Sequence, residues 1–201
     1  AFRIQGKEVM IAEGDKFGGT CVNRGCMPKK WYMYASMCSD EFEAAKSYGW
    51  NVGNPEFSWN TLKTNTFQEI KRLNGIYDTM LSNAGVTVYK GFAKFVDANT
   101  LVVDNKTITA DKFMIAVGGK PFIPDMEGAE LAITSDEAFH LETLPKDILI
   151  IGAGYIGVEF ASIFNSLGVN TKLMFRAGQI LRGFDDDIRH IQKWNPKHAI
   201  S

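Results

Sequence analysis

The sequence predicts an α/β fold, and three observations carry that prediction. A strand-turn-helix-strand pattern runs from Asp147 to Arg176 around Gly152-Ala153-Gly154-Tyr155-Ile156-Gly157. Near the start, EVMIAE (Glu8 to Glu13) is a short apolar run ending in an acid, the pattern of a buried strand. Between these two units, helical periodicity gives way to a block of β-branched and aromatic runs separated by turn residues.

In chain order, the stretch after EVMIAE from Pro28 to about Tyr48 has helix-favouring composition. From Trp59 to Ala84, Leu62, Ile70, Leu73, Tyr77, Met80, Leu81 and Ala84 recur at roughly helical spacing, and Gly85 follows as a C-terminal cap. VTVYKGFAKFV, TLVVD and TITADKFMIAV, lying between Val86 and Val117, read as strands, with Asn, Asp and Gly marking the turns. Pro121, Pro124 and Gly128 then break the regularity, and Leu144-Pro145-Lys146 precedes the second strand-turn-helix unit, so a domain boundary is placed near Pro145. Neither a solenoid-period repeat nor a low-complexity segment is present.

Size and charge narrow the function classes. The 201 residues, 45% of them hydrophobic, have room for one average domain or two small ones. The 22 basic residues nearly balance 23 acidic ones, which gives no reason to expect nucleic acid or an anionic membrane as partner. No apolar run approaches the length of about eighteen residues that a membrane span needs, and the first residues lack the zones of a secretory signal. A cytoplasmic protein is expected. Its three cysteines do not resemble the dense framework of a secreted scaffold, so reactive chemistry is the expectation for them.

Two of these cysteines, Cys21 and Cys26, lie in GGTCVNRGCMPKK. Residues five apart in a regular α-helix are separated by roughly 8.6 Å between Cα atoms, too far for a disulfide, which needs about 4.4–6.8 Å. Gly25 and Pro28 therefore suggest an irregular loop feeding a helix start. A helix N-terminus together with Lys29 and Lys30 favours a thiolate, so a dithiol that cycles is the functional reading. Two buried structural cysteines are the alternative. Zinc is a third, but Cys38, His140, His190 and His198 lack ligand spacing, and no metal is expected.

The glycine motif at 152–157 follows one strand pattern and opens a helical one. In that context glycines permit a tight turn, close approach of the backbone to a pyrophosphate, and helix-strand packing. Packing through glycines without a ligand is the alternative. Where an NAD-binding unit would place an acid after its second strand, this chain has Arg176, with Arg182 close behind. Guanidinium groups bind phosphate oxygens in a bidentate way, which points to NADPH over NADH; solvated surface arginines are the alternative.

The segment GGTCVNRGCMPKK closely resembles the active-site stretch of the flavoprotein disulfide reductases, and of glutathione reductases in particular. The resemblance implies that Cys21 attacks the disulfide substrate and that Cys26 lies against the flavin in a charge-transfer contact. It places Lys29 near flavin N5, paired with Glu159, and Tyr155 over the nicotinamide pocket. Arg24 matches a variant of the motif found in plant and some bacterial members. Glu13, Gly19, Thr20 and Lys29 correspond to FAD contacts, and Ala93 to a backbone contact. Gly152, Ala153, Gly154, Tyr155, Ile156, Gly157 and Glu159, with Arg176 and Arg182, correspond to the NADPH site. Tyr77 matches a substrate-side tyrosine, with an amphipathic-helix position as the alternative. Val117-Gly118-Gly119 stands where the family more usually has Thr-Gly-Gly, after a strand of the FAD domain.

On this reading the fold is α/β with FAD/NAD(P)-binding Rossmann-like, three-layer domains, incomplete at both ends. Residues 1–144 form a partial FAD-binding domain with the redox-active pair, 145–189 a partial NADPH-binding domain, and 190–201 a tail outside the family pattern. The family's first glycine turn, its dimerisation domain and its catalytic histidine-glutamate pair are not matched by any segment here. The implied function is NADPH- and FAD-dependent reduction of glutathione disulfide in cell redox homeostasis, by a homodimer in the full-length family. Trypanothione, lipoamide and mercuric ion reductases share the cysteine motif and remain open, as does a non-catalytic nucleotide-binding fragment.

Overall fold

The structure, a computed structural model, describes residues 6–191. The expected tail at 190–201 therefore lies almost wholly outside the described residues, as does His198. Strand β1 (Met10–Glu13) leads into α1 (Gly19–Arg24), α2 (Cys26–Ser47) and α3 (Trp59–Asn83). Four strands follow: β2 (Thr87–Lys90), β3 (Ala93–Asp97), β4 (Thr100–Val103) and β5 (Lys106–Thr109). After a short helix α4 (Ser135–Ala138), β6 (Asp147–Ile151), α5 (Tyr155–Ser166), β7 (Asn170–Met174) and α6 (Asp186–Ile191) complete the described chain.

Two parallel pairs and one antiparallel meander make up the sheets. β1 pairs with β2 from Met10↔Thr87 to Glu13↔Lys90, with the three helices as crossover. β6 pairs with β7 from Asp147↔Asn170 to Ile151↔Met174 across α5, a βαβ unit. The β3-β4-β5 meander turns tightly at Asp104-Asn105, both with positive φ, the conformation a two-residue hairpin favours.

Each helix has a legible cause. On α2, Pro28, Tyr32 and Ser36 recur every four residues and form its buried face. Ser58 caps α3 by accepting the Thr61 N–H. At the other end, the Gly85 N–H bonds the Ser82 carbonyl at 2.9 Å and the Val86 N–H bonds Leu81 at 3.0 Å, closing the expected cap. Only the N-terminal part of the predicted α3 face is deeply packed: Ile70 is buried, whereas Tyr77 and Met80 are exposed.

The main core joins residues from both sides of Pro145. Tyr32, Trp59, Ala138, Phe139, Phe160, Ile163, Phe164 and Val169 form one cluster. Its buried polar groups are satisfied: the Tyr32 hydroxyl donates to the Phe139 carbonyl at 2.9 Å and the Trp59 indole N–H to Leu141 at 2.8 Å. Burial pushes the Tyr32 hydroxyl pKa well above its ordinary value.

Two expectations about the first half need correction. The strand expected within TITADKFMIAV ends at Thr109, and Asp111–Val117 is irregular, with Met114, Ile115 and Val117 exposed. A strand needs a ladder to join; among the described residues β1 and β2 pair only with each other, so residues 111–117 have no partner and Val117-Gly118-Gly119 follows no strand. EVMIAE contributes only Met10–Glu13 to β1, partly exposed for the same reason. No helix among the described residues is long and apolar enough to cross a membrane.

Candidate active site

Cys21 and Cys26 form a disulfide with Cα atoms 4.6 Å apart, inside the range a bridge allows. The connection is not the loop expected from sequence. Cys21 lies in the six-residue α1, Cys26 is the first residue of α2, and Gly25 between them breaks the helix with φ −146° and ψ −114°. A Cβ at Gly25 would sit 2.8 Å from the Thr20 carbonyl oxygen, so the break requires a residue without a side chain. Pro28 falls in the first turn of α2, where its missing N–H costs no helical bond. Both cysteines are exposed.

Polar side chains fix this segment to its surroundings. Asn23 Nδ2 donates to the carbonyls of Gly19 and Phe17, and Asn74 on α3 donates to Phe17 and to Asn23 Oδ1. The Arg24 guanidinium pairs with Asp15 at 2.9 Å and with Asp136 at 3.7 Å. Asp136 sits in the first turn of α4, which a capping box organises: Asp136 N–H donates to Thr134 Oγ1, and Thr134 donates to the Glu137 carboxylate. Donation from the Thr134 hydroxyl and backbone N–H holds the Glu137 carboxyl below its ordinary pKa. None of these partners was expected from sequence: Asn23 and Arg24 lie in the recognised motif, but nothing in the pattern identified Asn74 or Asp136 as their mates.

One turn past Cys26, Lys29 forms an ion pair with Glu159 on α5 and lies 5.1 Å from the centre of the Tyr155 ring. The cysteine helix and the helix that opens the glycine motif are thereby joined. The turn into α5 is made by backbone. Gly152 N–H donates to the Met174 carbonyl at 2.8 Å, and Leu181 N–H to Ala153 at 2.7 Å. A Cβ at Gly157 would overlap the Gly152 carbonyl oxygen, so helix and turn approach as closely as glycine permits. Gly154 is the N-cap, and the N–H groups of Tyr155, Ile156 and Gly157 precede the first helical bond, from Val158 to Gly154.

The remaining residues singled out from sequence lie around this centre. Arg176 and Arg182 are both exposed on the segment after β7, and neither makes an ion pair among the described residues. Glu13, the last residue of β1, accepts the Asp15 N–H at 2.8 Å. Gly19 and Thr20 open α1, and Ala93 opens β3. Tyr77 stands on α3 one turn beyond Asn74, with no hydrogen bond or ring contact among the described residues.

This arrangement can be compared with known proteins. Residues 1–195 match the model of the family described as pyridine nucleotide-disulphide oxidoreductase. The chain belongs to the pyridine nucleotide-disulphide oxidoreductase family. It is 47% identical to the glutathione reductase of Nostoc sp., over 97% of this chain and 43% of that protein. It is 45% identical to the glutathione reductase of Burkholderia cepacia, over 92% of the chain and 41% of the relative. With the chloroplastic/mitochondrial glutathione reductase of Pisum sativum it shares 48% identity, over 84% and 31% respectively. The chain thus spans less than half the length of these relatives.

The α/β architecture agrees with the FAD/NAD(P)-binding, Rossmann-like character of the pyridine nucleotide-disulphide oxidoreductases. The residues present fit a dinucleotide: a glycine turn with no side chain in the way, N–H groups ahead of the first α5 bond, and two exposed guanidinium groups beyond β7 that make no ion pair among the described residues.

Proposed function

We propose that this chain carries the nucleotide-side and disulfide chemistry of an NADPH- and FAD-dependent reductase whose substrate is glutathione disulfide. The observation that carries the reading is the Lys29–Glu159 ion pair, which locks the first turn of the cysteine helix onto the helix opening the glycine motif. Bound NADPH and FAD would supply the two electrons that open the Cys21–Cys26 bond. Identity of 45–48% with three glutathione reductases supports the choice of glutathione disulfide over the related substrates.

The chain's own residues then do three things. Arg176 and Arg182 hold the 2′-phosphate of the nucleotide, and the N-terminus of α5 receives its pyrophosphate. Lys29, held by Glu159, keeps a positive charge one turn from Cys26, and Cys26 opens a 22-residue helix whose N-terminal dipole stabilises its thiolate. Cys21 attacks one sulfur of the substrate disulfide and releases one thiol; Cys26 attacks the mixed disulfide at Cys21, releases the second thiol and restores the bridge. Glu13, Gly19, Thr20 and Ala93 are assigned to the flavin side, and Tyr77 to the substrate side. The division into 1–144, 145–189 and 190–201 and a homodimeric whole protein belong to the same proposal.

A second reading is nucleotide binding without turnover by the chain alone. The exposed Met114, Ile115 and Val117, and Leu149, Ile151 and Met174 on one face of β6 and β7, favour it. Visible absorption of the purified chain, recorded anaerobically before and after NADPH, separates the two. A flavin spectrum that gains a long-wavelength thiolate-to-flavin band on adding NADPH supports the reductase; a colourless protein assigns turnover to a longer polypeptide. NADH matching or exceeding NADPH in that reduction would remove the roles given to Arg176 and Arg182.

A further inference from the structure

α1 has only six residues and stops at the Gly25 break, so its internal hydrogen bonds cannot hold Cys21 in place. Two carboxamides do so. Asn23 Nδ2 lies 2.9 Å from the Gly19 carbonyl, 3.1 Å from that of Phe17 and 3.4 Å from that of Lys16. Asn74 reaches across from α3 and uses its amide group twice, for Phe17 O at 2.7 Å and Asn23 Oδ1 at 2.9 Å. Phe17, the carbonyl both share, is itself buried. None of these bonds involves sulfur, so opening the disulfide leaves them in place.

We propose that Asn74, acting through Asn23, is a positioning residue that keeps Cys21 beside Cys26 in the dithiol state and so sets the redox equilibrium of the pair. The inference rests on the reading of this pair as one that cycles. Intramolecular disulfide formation depends on the effective concentration of one thiol at the other, and that falls when the segment bearing one of them becomes loose. In the disulfide state the covalent bond restrains α1 whether or not Asn74 is present. In the dithiol state that covalent restraint is gone, and the carboxamides hold α1 together with the Arg24 ion pairs and the buried Val22. Removing Asn74 therefore frees α1 selectively in the dithiol, stabilises that state, and makes the pair more oxidising. Because Asn74 is neutral, the effect is separate from any charge supplied by Arg24 or Lys29.

The test equilibrates the full chain anaerobically with mixtures of reduced and oxidised dithiothreitol, then alkylates and weighs it. As the Cys21–Cys26 bond opens, dithiothreitol closes its own disulfide ring, and its two electrons and two protons leave both cysteines as thiols. Cys38 is free in either state, so reduction adds two labels to a constant background. For Asn74→Ala the expected result is a shift of about three- to tenfold toward dithiol, a rise of about 15–30 mV. Asn74→Leu, close to asparagine in shape, shifts in the same direction, as does Asn23→Ala. The double variant moves little beyond the larger single one, because both belong to one network. Thr79→Ala, on the exposed face of α3, leaves the equilibrium unchanged.

A purely structural role for Asn74 would lower the thermal stability of both redox states equally and leave the equilibrium where it was; that result overturns the proposal. If the wild-type chain resists reduction throughout the range, the cycling reading falls and this inference with it. A wild type that titrates while its variants match it overturns the inference alone.

Discussion

The two halves of the candidate site are built from different materials. At 152–157 the turn is backbone work: carbonyls and N–H groups bond one another, and the side chain that matters most is the one Gly157 lacks. Around Cys21 and Cys26 the backbone is broken, and Asn23, Asn74 and Arg24 hold the pieces together. A site of the first kind fails when an atom is added, and one of the second kind when a polar group is removed. The difference also separates magnitudes, since steric overlap with backbone has no cheap relief whereas half-exposed polar links are individually modest.

The largest effect expected from this contrast is that of Gly157→Ala. Its methyl group would occupy the space of the Gly152 carbonyl oxygen, forcing α5 away from β6 or distorting the turn, at a cost of about 3 kcal/mol. Urea unfolding should show the loss, and nucleotide binding should go with it. A Gly157→Ala chain of unchanged stability would mean that the turn has slack, and that the backbone half is less exacting than its geometry implies.

Next in size is Arg176→Ala. Loss of one charge-assisted contact to the 2′-phosphate should weaken NADPH binding about tenfold while leaving NADH little changed. Titration calorimetry with both nucleotides decides it. Equal weakening for the two would place Arg176 away from the phosphate, as a residue that supports the loop after β7.

What the sequence made legible follows the same division. The bounds of α2, α3 and the βαβ unit lie close to those expected, because periodicity and glycine turns are local signals. The glycine motif could be read as a turn, since its reason is local too. Asn74 could not, for its partners Phe17 and Asn23 lie 57 and 51 positions away and a lone half-buried asparagine in a helix carries no pattern. Residues 111–117 mislead in the opposite direction: Phe113 to Val117 has strand composition, but composition supplies no neighbouring strand to bond. The loop expected between the cysteines became two helices because a single residue, Gly25, suffices to break the path.

Smaller effects sharpen the side-chain half. Arg24→Leu removes links to Asp15 and Asp136, all three partly exposed, so the expected loss is about 0.5 kcal/mol at low salt. In about 1 M salt, where the screening length is about 3 Å, the difference from wild type should largely vanish. A loss that persists at high salt would show that the Arg24 stem packs as well as pairs.

The smallest effect lies at the far end of the same chain of contacts. Glu137 is exposed, yet its carboxyl is held below the ordinary range by the Thr134 hydroxyl and backbone N–H, with a minor contribution from His140. A depressed carboxyl pKa contributes stability above the unfolded value, about 4.3, and loses it as pH falls through the folded value. Glu137→Gln should therefore cost about 0.3 kcal/mol at pH 7, and the gap from wild type should close below about pH 4. Asp136 beside it belongs to the Arg24 link, so the comparison is best made in the Arg24→Leu background, where that link is already gone. Urea midpoints across this range give the answer. A gap that stays constant into acid would assign the role of Glu137 to its shape within the capping box, and would make the anchor of α4 independent of charge.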